Sequence, residues 1–190
     1  MKELSLHVLD ITENSINAGA SRISINIIEN TEEDEIKICI TDNGKGIKEE
    51  LLKDIADPFV TTRKTRNVGL GIPLLKAAAE DTNGSFFIKS KINKGTTLTA
   101  TFQRSHIDRM PLGDIESTFI SLLISFPDIN WEFNYSIDNN NFEFYSKTIK
   151  DQLKDVPYTD PIVLRYLRSE IVNGIKDIKN TSQNSLHQLI

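Results

Sequence analysis

Asp10, Asn14 and Asn17 follow one another at spacings of four and three in DITENSINAGAS (10–21), which sets them along one edge of a helix. Asparagine is a poor helix former because its amide competes for local backbone groups. Two in one helix therefore suggest use as oxygen donors. Such donors, without His or Cys, suit a hard ion such as Mg²⁺ held partly through phosphate and water. The pattern fits a solvated helix face with a C-terminal cap equally well. In TDNGKGI (41–47) Asp42 closes an alternating stretch, and Gly44 and Gly46 let the backbone pass close to a flat ligand. A carboxylate there can accept from an exocyclic amine such as adenine N6. Asp-Asn-Gly is also common turn chemistry.

Two further stretches complete the set. DPFVTTRKTRNVGLGI (57–72) is a basic, Thr-rich loop that leads into Gly69-Leu70-Gly71 at a helix start. Exposed N–H groups there would form an anion site, although a solvated loop with a glycine-rich turn reads the same way. KGTTLTATF (94–102) places Thr96 and Thr97 at the start of a strand, and alone it says only hairpin.

The elements that must position these residues follow from periodicity. Residues 5–18 predict a helix, with Leu4, Val8, Leu9, Ile11 and Ile16 on an apolar arc and His7, Asp10, Asn14 and Asn17 opposite. Gly19 is placed to end it. Stretches 22–29 and 35–42 alternate with β-branched residues and read as a hairpin. A short helix over 48–55 precedes the irregular 56–68. The next helix spans 70–84, with Pro73 in its first turn and Gly84 past its end. A second hairpin joins 85–91 to 96–102. The order predicts an α+β fold: a two-layer sandwich with one face of a mixed, mostly antiparallel sheet covered by helices.

The character changes near residue 104, dividing the chain into 1–104 and a small α/β extension, 105–190. The extension reads as a helix (115–126), two strands (131–137 and 142–147) around DNNN, and a last helix with Asp160 as N-cap and Pro161 first. The final ten residues look frayed and polar. The extension suits either growth of the first unit or a small interaction module. Its stripe of Val163, Leu164, Leu167, Ile171, Ile175 and Ile178 suits core contact or a homodimer seam. Trp131, Phe133 and Tyr135 share one strand face, as core residues do.

Composition narrows the classes. With 22 Lys+Arg against 27 Asp+Glu, the net charge of −5 argues against a dedicated nucleic-acid binder. The single Cys39 excludes an internal disulfide and cysteine-rich metal sites. His7, His106 and His187 lie too far apart in sequence to form a zinc-ligand pair. No apolar run approaches the roughly 18 residues of a membrane span, and MKELSLHVLD does not read as a signal peptide. A cytoplasmic protein is expected.

Taken in order, the four stretches resemble the GHKL superfamily of ATP-binding domains over residues 5–103. That group comprises gyrase B subunits, ninety-kilodalton heat-shock chaperones, histidine kinases, anti-sigma-factor kinases and mismatch-repair ATPases. ENSINAGAS is similar to the mismatch-repair form of the N box. PFVTTRK followed by GLGI resembles the lid and glycine box of bacterial histidine kinases. The resemblance implies the two-layer Bergerat fold and binding of ATP or ADP with Mg²⁺. Asn14 would ligate the metal, with Asn17 beside it on the N box. Asp42 would bind adenine N6 in a pocket shaped by Gly44 and Gly46, with Thr96 nearby. The lid positions Phe59, Thr62 and Arg63 would reach the nucleotide, Arg63 in the place of a lysine that can meet the γ-phosphate. Gly69, Leu70 and Gly71 would present backbone amides to the phosphates.

Departures from the pattern shape the functional reading. Hydrolysing members carry a water-activating glutamate four residues before the N-box asparagine, where this chain has Asp10, one methylene shorter. Glu13 is no substitute, being rotated about 100° away. Asn67 stands where the lid often has another glycine. The chain opens almost directly on the N-box helix, without the phosphoaccepting helix of sensor kinases, and His7 does not match that motif. A stand-alone domain is expected. It would transfer phosphate to a separate protein or hydrolyse ATP slowly; the other reading is a nucleotide-controlled protein-binding switch. Asp10 is the candidate catalytic residue that separates them.

Overall fold

Alternation of isoleucine with polar residues drives the first hairpin, because successive strand side chains point to opposite faces. β1 (Arg22–Asn30) buries Ile23, Ile25 and Ile27, and β2 (Glu35–Asp42) buries Ile36, Ile38 and Ile40. The computed structural model describes residues 2–52, 55, 71–154 and 156–187. The chain runs α1 (Leu4–Asn17), β1, β2, α2 (Glu49–Leu52), α3 (Gly71–Glu80), β3 (Phe86–Lys91), β4 (Gly95–Gln103), α4 (Ile115–Ser125), β5 (Asn130–Ile137), β6 (Asn140–Tyr145), α5 (Ser146–Leu153) and α6 (Pro161–His187). The expected helix over 48–55 is described as α2, with residues 53 and 54 outside the described residues.

The six strands form one sheet in the order β3-β4-β2-β1-β5-β6. Every pairing is antiparallel except that of β1 with β5, so the sheet is mixed and mostly antiparallel, as expected. α1 and α3 cover the β2 and β4 side, and α6 covers β5 and β6. The helices share the face that buries the isoleucines. The strands of 105–190 therefore continue the same sheet rather than stand apart. Their parallel register sets Trp131, Phe133 and Tyr135 beside Ile23, Ile25 and Ile27, and Phe119 of α4 stacks on Phe133 at 4.4 Å.

The C-terminal stripe is core contact. Val163, Leu167, Ile171, Ile175 and Ile178 are buried, while Leu164 is half-buried at the margin. Asp160 Oδ1 accepts from the amides of Ile162 and Val163, confirming the cap.

Three boundaries differ from expectation. α3 ends at Glu80, short of 84, because Thr82 donates back to the Ala78 carbonyl at 2.9 Å and Asn83 turns left-handed. Ser146 and Lys147, read as strand, begin the unforeseen α5; the buried Ser146 hydroxyl accepts from Trp131 N and turns the chain. α6 continues to His187, beyond the frayed end expected. No helix among the described residues is long and apolar enough to cross a membrane.

Candidate functional site

The end of β2 and the last turn of α1 meet over a carboxylate. Asp42 is 8% exposed. Its Oδ1 accepts from Gly44 N at 2.8 Å and from Thr96 N at 3.3 Å, and Oδ2 accepts from the Ser15 hydroxyl at 2.8 Å. Thr96 is the cross-strand partner of Asp42 on β4, which is why its amide reaches. Burying a charge is tolerable only when it is hydrogen-bonded in this way. Asp42 is thus a fixed acceptor.

The turn after it is tied down on both sides. Lys45 N donates to the Ala18 carbonyl at 3.0 Å, joining the turn to the end of α1. Ile47 N donates to Ser90 Oγ at 2.8 Å, and that hydroxyl donates to Gly95 O and pairs with Thr96 Oγ1. Gly46 has φ +68°, and a Cβ there would collide with the Lys91 carbonyl. The two turns can approach this closely only because it is glycine.

Between these turns, α1 and the sheet lies a cleft of about 660 Å³. Its polar floor is Asp42, Ser15 and Thr96. Its walls are aliphatic, among them Ile11, Ile40, Ile72, Ile88 and Leu98. Asn14 and Asn17 from α1, with Lys45 and Lys48 from the turn, line it as well. A flat apolar ligand with one hydrogen-bonding edge suits such walls and floor.

α1 carries the expected edge. Asn14 is half-buried and Asn17 exposed. One turn earlier, the Asp10 carboxylate lies against the first residue of α3: a Cβ on Gly71 would fall on Asp10 Oδ2. Asp10 is not among the residues that line the cleft. It stands beyond Asn14, at the α3 end. His7, a further turn back, is only 1% exposed, with neither ring nitrogen hydrogen-bonded among the described residues. Burial pushes its pKa down to about 4, so it is a neutral packing residue.

The structure therefore gathers Asn14, Asn17, Asp42, Gly46 and Thr96 around one cleft, with Gly44 supporting Asp42 and Asp10 meeting Gly71. Phe59, Thr62, Arg63, Gly69 and Leu70 lie outside the described residues, as does Asn67. Sequence reasoning missed Ser15 and Ser90. Ser15 could have been found as a small polar residue on the core-facing stripe that continues Val8 and Ile11. Ser90 had no signal, since its role depends on pairing with Thr96.

The donor chemistry can be tested against a divalent ion. Among the described residues no three His, Cys, Asp or Glu side chains come together as a metal-holding group. An ion here would need ligands from phosphate and water besides Asn14, the habit of Mg²⁺ rather than of a protein-caged metal.

Residues 2–106 match the family described as histidine kinase-, DNA gyrase B-, and HSP90-like ATPase. Histidine protein kinase SaeS of Staphylococcus aureus is 34% identical over 112 residues, 56% of this chain and 32% of that protein. The matched stretch is thus about a third of the relative's length. The Aquifex aeolicus MutL ATPase domain complexed with ADP superimposes with a TM-score of 0.51 at 12% identity, over 81% of this chain and 68% of that one. The N-terminal domain of a DNA repair protein gives 0.53 at 17%, over 76% and 52%. That superposition covers more of the chain than residues 2–106 alone.

Proposed function

Because the chain belongs to the histidine kinase-, DNA gyrase B- and HSP90-like ATPase family, we propose that it binds Mg·ATP in the cleft under α1 and uses it in protein phosphotransfer or slow hydrolysis. The observation that carries this is Asp42: a buried carboxylate, held by Ser15, Gly44 N and Thr96 N, that offers an acceptor to the cleft. A 6-amino purine fits the acceptor and the aliphatic walls. Asn14 would hold the metal, whose chemistry is to bridge phosphate oxygens and offset their charge. Gly71, with Gly69 and Leu70 before it, would give amides to the phosphates, and Phe59, Thr62 and Arg63 would contribute contacts to the nucleotide.

Asp10 has two roles open to it. Beside Gly71 its carboxylate can take a proton from an attacking water or hydroxyl, or it can support the metal with Asn14. Its short reach favours weak autonomous hydrolysis. Transfer to a separate protein, or a nucleotide-ordered binding switch, then becomes the working activity. We read 1–104 as the nucleotide unit and 105–190 as an extension built on its β1 edge. A cytoplasmic location accords with ATP use and with the single thiol, Cys39.

The test is incubation of pure protein with γ-labelled ATP and Mg²⁺, alone and with cell lysate. Label in free phosphate marks hydrolysis; label on a protein marks transfer. Binding without either leaves the switch. Absence of binding overturns the reading.

A further inference from the structure

We propose that the open face of the sheet is a self-association surface, on which a second copy of the chain stacks about a two-fold axis parallel to the strands. The helices share the isoleucine face, and the alternate positions of β2, among them Lys37, Cys39 and Thr41, are half-buried. An antiparallel sheet can leave one polar face to water, so polarity alone says nothing about a partner. The distribution of charge does. The registers align Lys89, Thr97, Thr41, Ser24, Glu132 and Tyr145 in one row across the face. At one side β3 brings Lys89 and Lys91 to it; at the other β5 and β6 bring Glu132 and Glu143. None of these four makes an ion pair among the described residues.

An axis between β2 and β1, the middle of the strand order, lays β3 over β6 of the second copy and β4 over its β5. The basic side of each copy then meets the acidic side of the other, as an isologous interface requires. Two further features fall at the same contacts. Phe87 and Tyr145, 63% and 48% exposed, stand on the two outer strands and would be covered, Tyr145 by Lys89 of the second copy. Asn134 Oδ1 is buried with no hydrogen-bond partner among the described residues. Thr99 of the second copy comes over it, and that hydroxyl is otherwise given to the Cys39 sulfur at 3.6 Å, a weak acceptor. Six strands about 4.8 Å apart and about 25 Å long give a face of roughly 700 Å². The pair would bury about 1,400 Å², within the range of specific interfaces. Both clefts stay on the outer, helical sides, and the α6 stripe, buried in the core, is not needed as a seam.

The test is sedimentation equilibrium on the full chain and two charge-reversal variants, Lys89→Glu/Lys91→Glu and Glu132→Lys/Glu143→Lys. All four side chains lie outside the core, and thermal melts serve as the folding control. Wild type should be a dimer at about 100 µM protein. Each variant alone sets like charges against one another and should weaken association by at least about tenfold. Their equimolar mixture should restore a heterodimer, since each acidic side again meets a basic one. Cys39, the only thiol, gives a second readout that needs no variant. With sheets about 10 Å apart and strands about 4.8 Å apart, the two Cys39 Cα atoms would lie roughly 11 Å from each other across the axis. A short bismaleimide should therefore link wild-type chains in pairs. A wild type that is monomeric at that concentration overturns the proposal. So does a dimer that neither variant weakens, a pair of variants that stay apart when mixed, or a dimer that Cys39 cannot link.

Discussion

The Asp10 carboxylate and the backbone of Gly71 are in direct contact, with Oδ2 occupying the place where any other residue at 71 would carry its Cβ. The contact links the middle of α1 to the start of α3. A carboxylate at a helix N-terminus is favourably placed toward the positive end of the helix dipole. It also means that the only acid on the Asn14 edge of α1 stands next to the proposed phosphate-binding backbone. Adenine selection is thus expected at Asp42 inside the cleft and chemistry at Asp10 outside its lining, with Asn14 between them.

Base selection is tested at Asp42. In Asp42→Asn the amide oxygen can still accept from Gly44 N and Thr96 N, and the new amide group can donate to Ser15, so the apo protein should fold. The group facing the cleft becomes a donor. Stabilisation by Mg·ATP in thermal melts should fall, with affinity dropping about ten- to a hundredfold, the worth of a hydrogen bond to a charged group. GTP should stabilise wild type much less than ATP and ADP do. Equal stabilisation of wild type by GTP would contradict the assignment.

Metal dependence is tested at Asn14. Asn14→Ala removes an amide oxygen, a direct ligand for a hard ion. Mg²⁺-dependent ATP affinity should be lost, and metal-free ADP binding less affected. Calorimetry with and without Mg²⁺ decides, and an unchanged metal dependence in the variant sinks the role given to Asn14.

How far sequence reached is clear from these residues. Asp42, Gly44 and Gly46 were legible because a strand-ending acid and two glycines are local features. The α1 edge was legible because helical periodicity fixes it. The two-layer sheet followed from alternation. The parallel joining of β5 to β1 was not legible, since register between strands separated by about a hundred residues leaves no local trace. Ser15 was hidden for a different reason. It follows Asn14 directly but points about 100° away around the helix, into the core face, where a serine reads as filler until β2 supplies its partner.

His7 sets an acid limit on stability. Its pKa is about 4 in the fold against 6.5 when free. Between those values the unfolded chain binds the extra proton, so this residue's contribution makes stability rise with pH through that window. Below pH 4 the accumulated loss levels off at about 3 kcal/mol. His7→Leu, similar in volume and without buried nitrogens to leave unpaired, should flatten the difference between pH 4 and 6.5. It should be no less stable than wild type at pH 7. Urea melts of both proteins across that range check this. Parallel acid slopes would show that His7 is not the sensor.

Asp10 carries the sharpest test, because its two roles predict opposite separations of binding from turnover. If it is a short but working base, Asp10→Asn should keep nucleotide affinity and lose turnover by about 10²–10⁴-fold. Asp10→Glu should keep or raise turnover, since the charge is unchanged and the reach longer by one methylene. If Asp10 instead supports Mg²⁺ with Asn14, Asp10→Asn should weaken Mg·ATP binding itself. The contact with Gly71 adds a steric condition: glutamate at 10 must lift its carboxylate past the α3 backbone, and α3 has no side chain there to obstruct it. Calorimetry and steady-state hydrolysis on wild type and both variants separate the cases. We expect wild-type hydrolysis near background that Asp10→Glu does not improve, which would end the autonomous-ATPase reading and leave transfer or switching. Clear wild-type turnover that vanishes in Asp10→Asn at unchanged affinity would reverse that order.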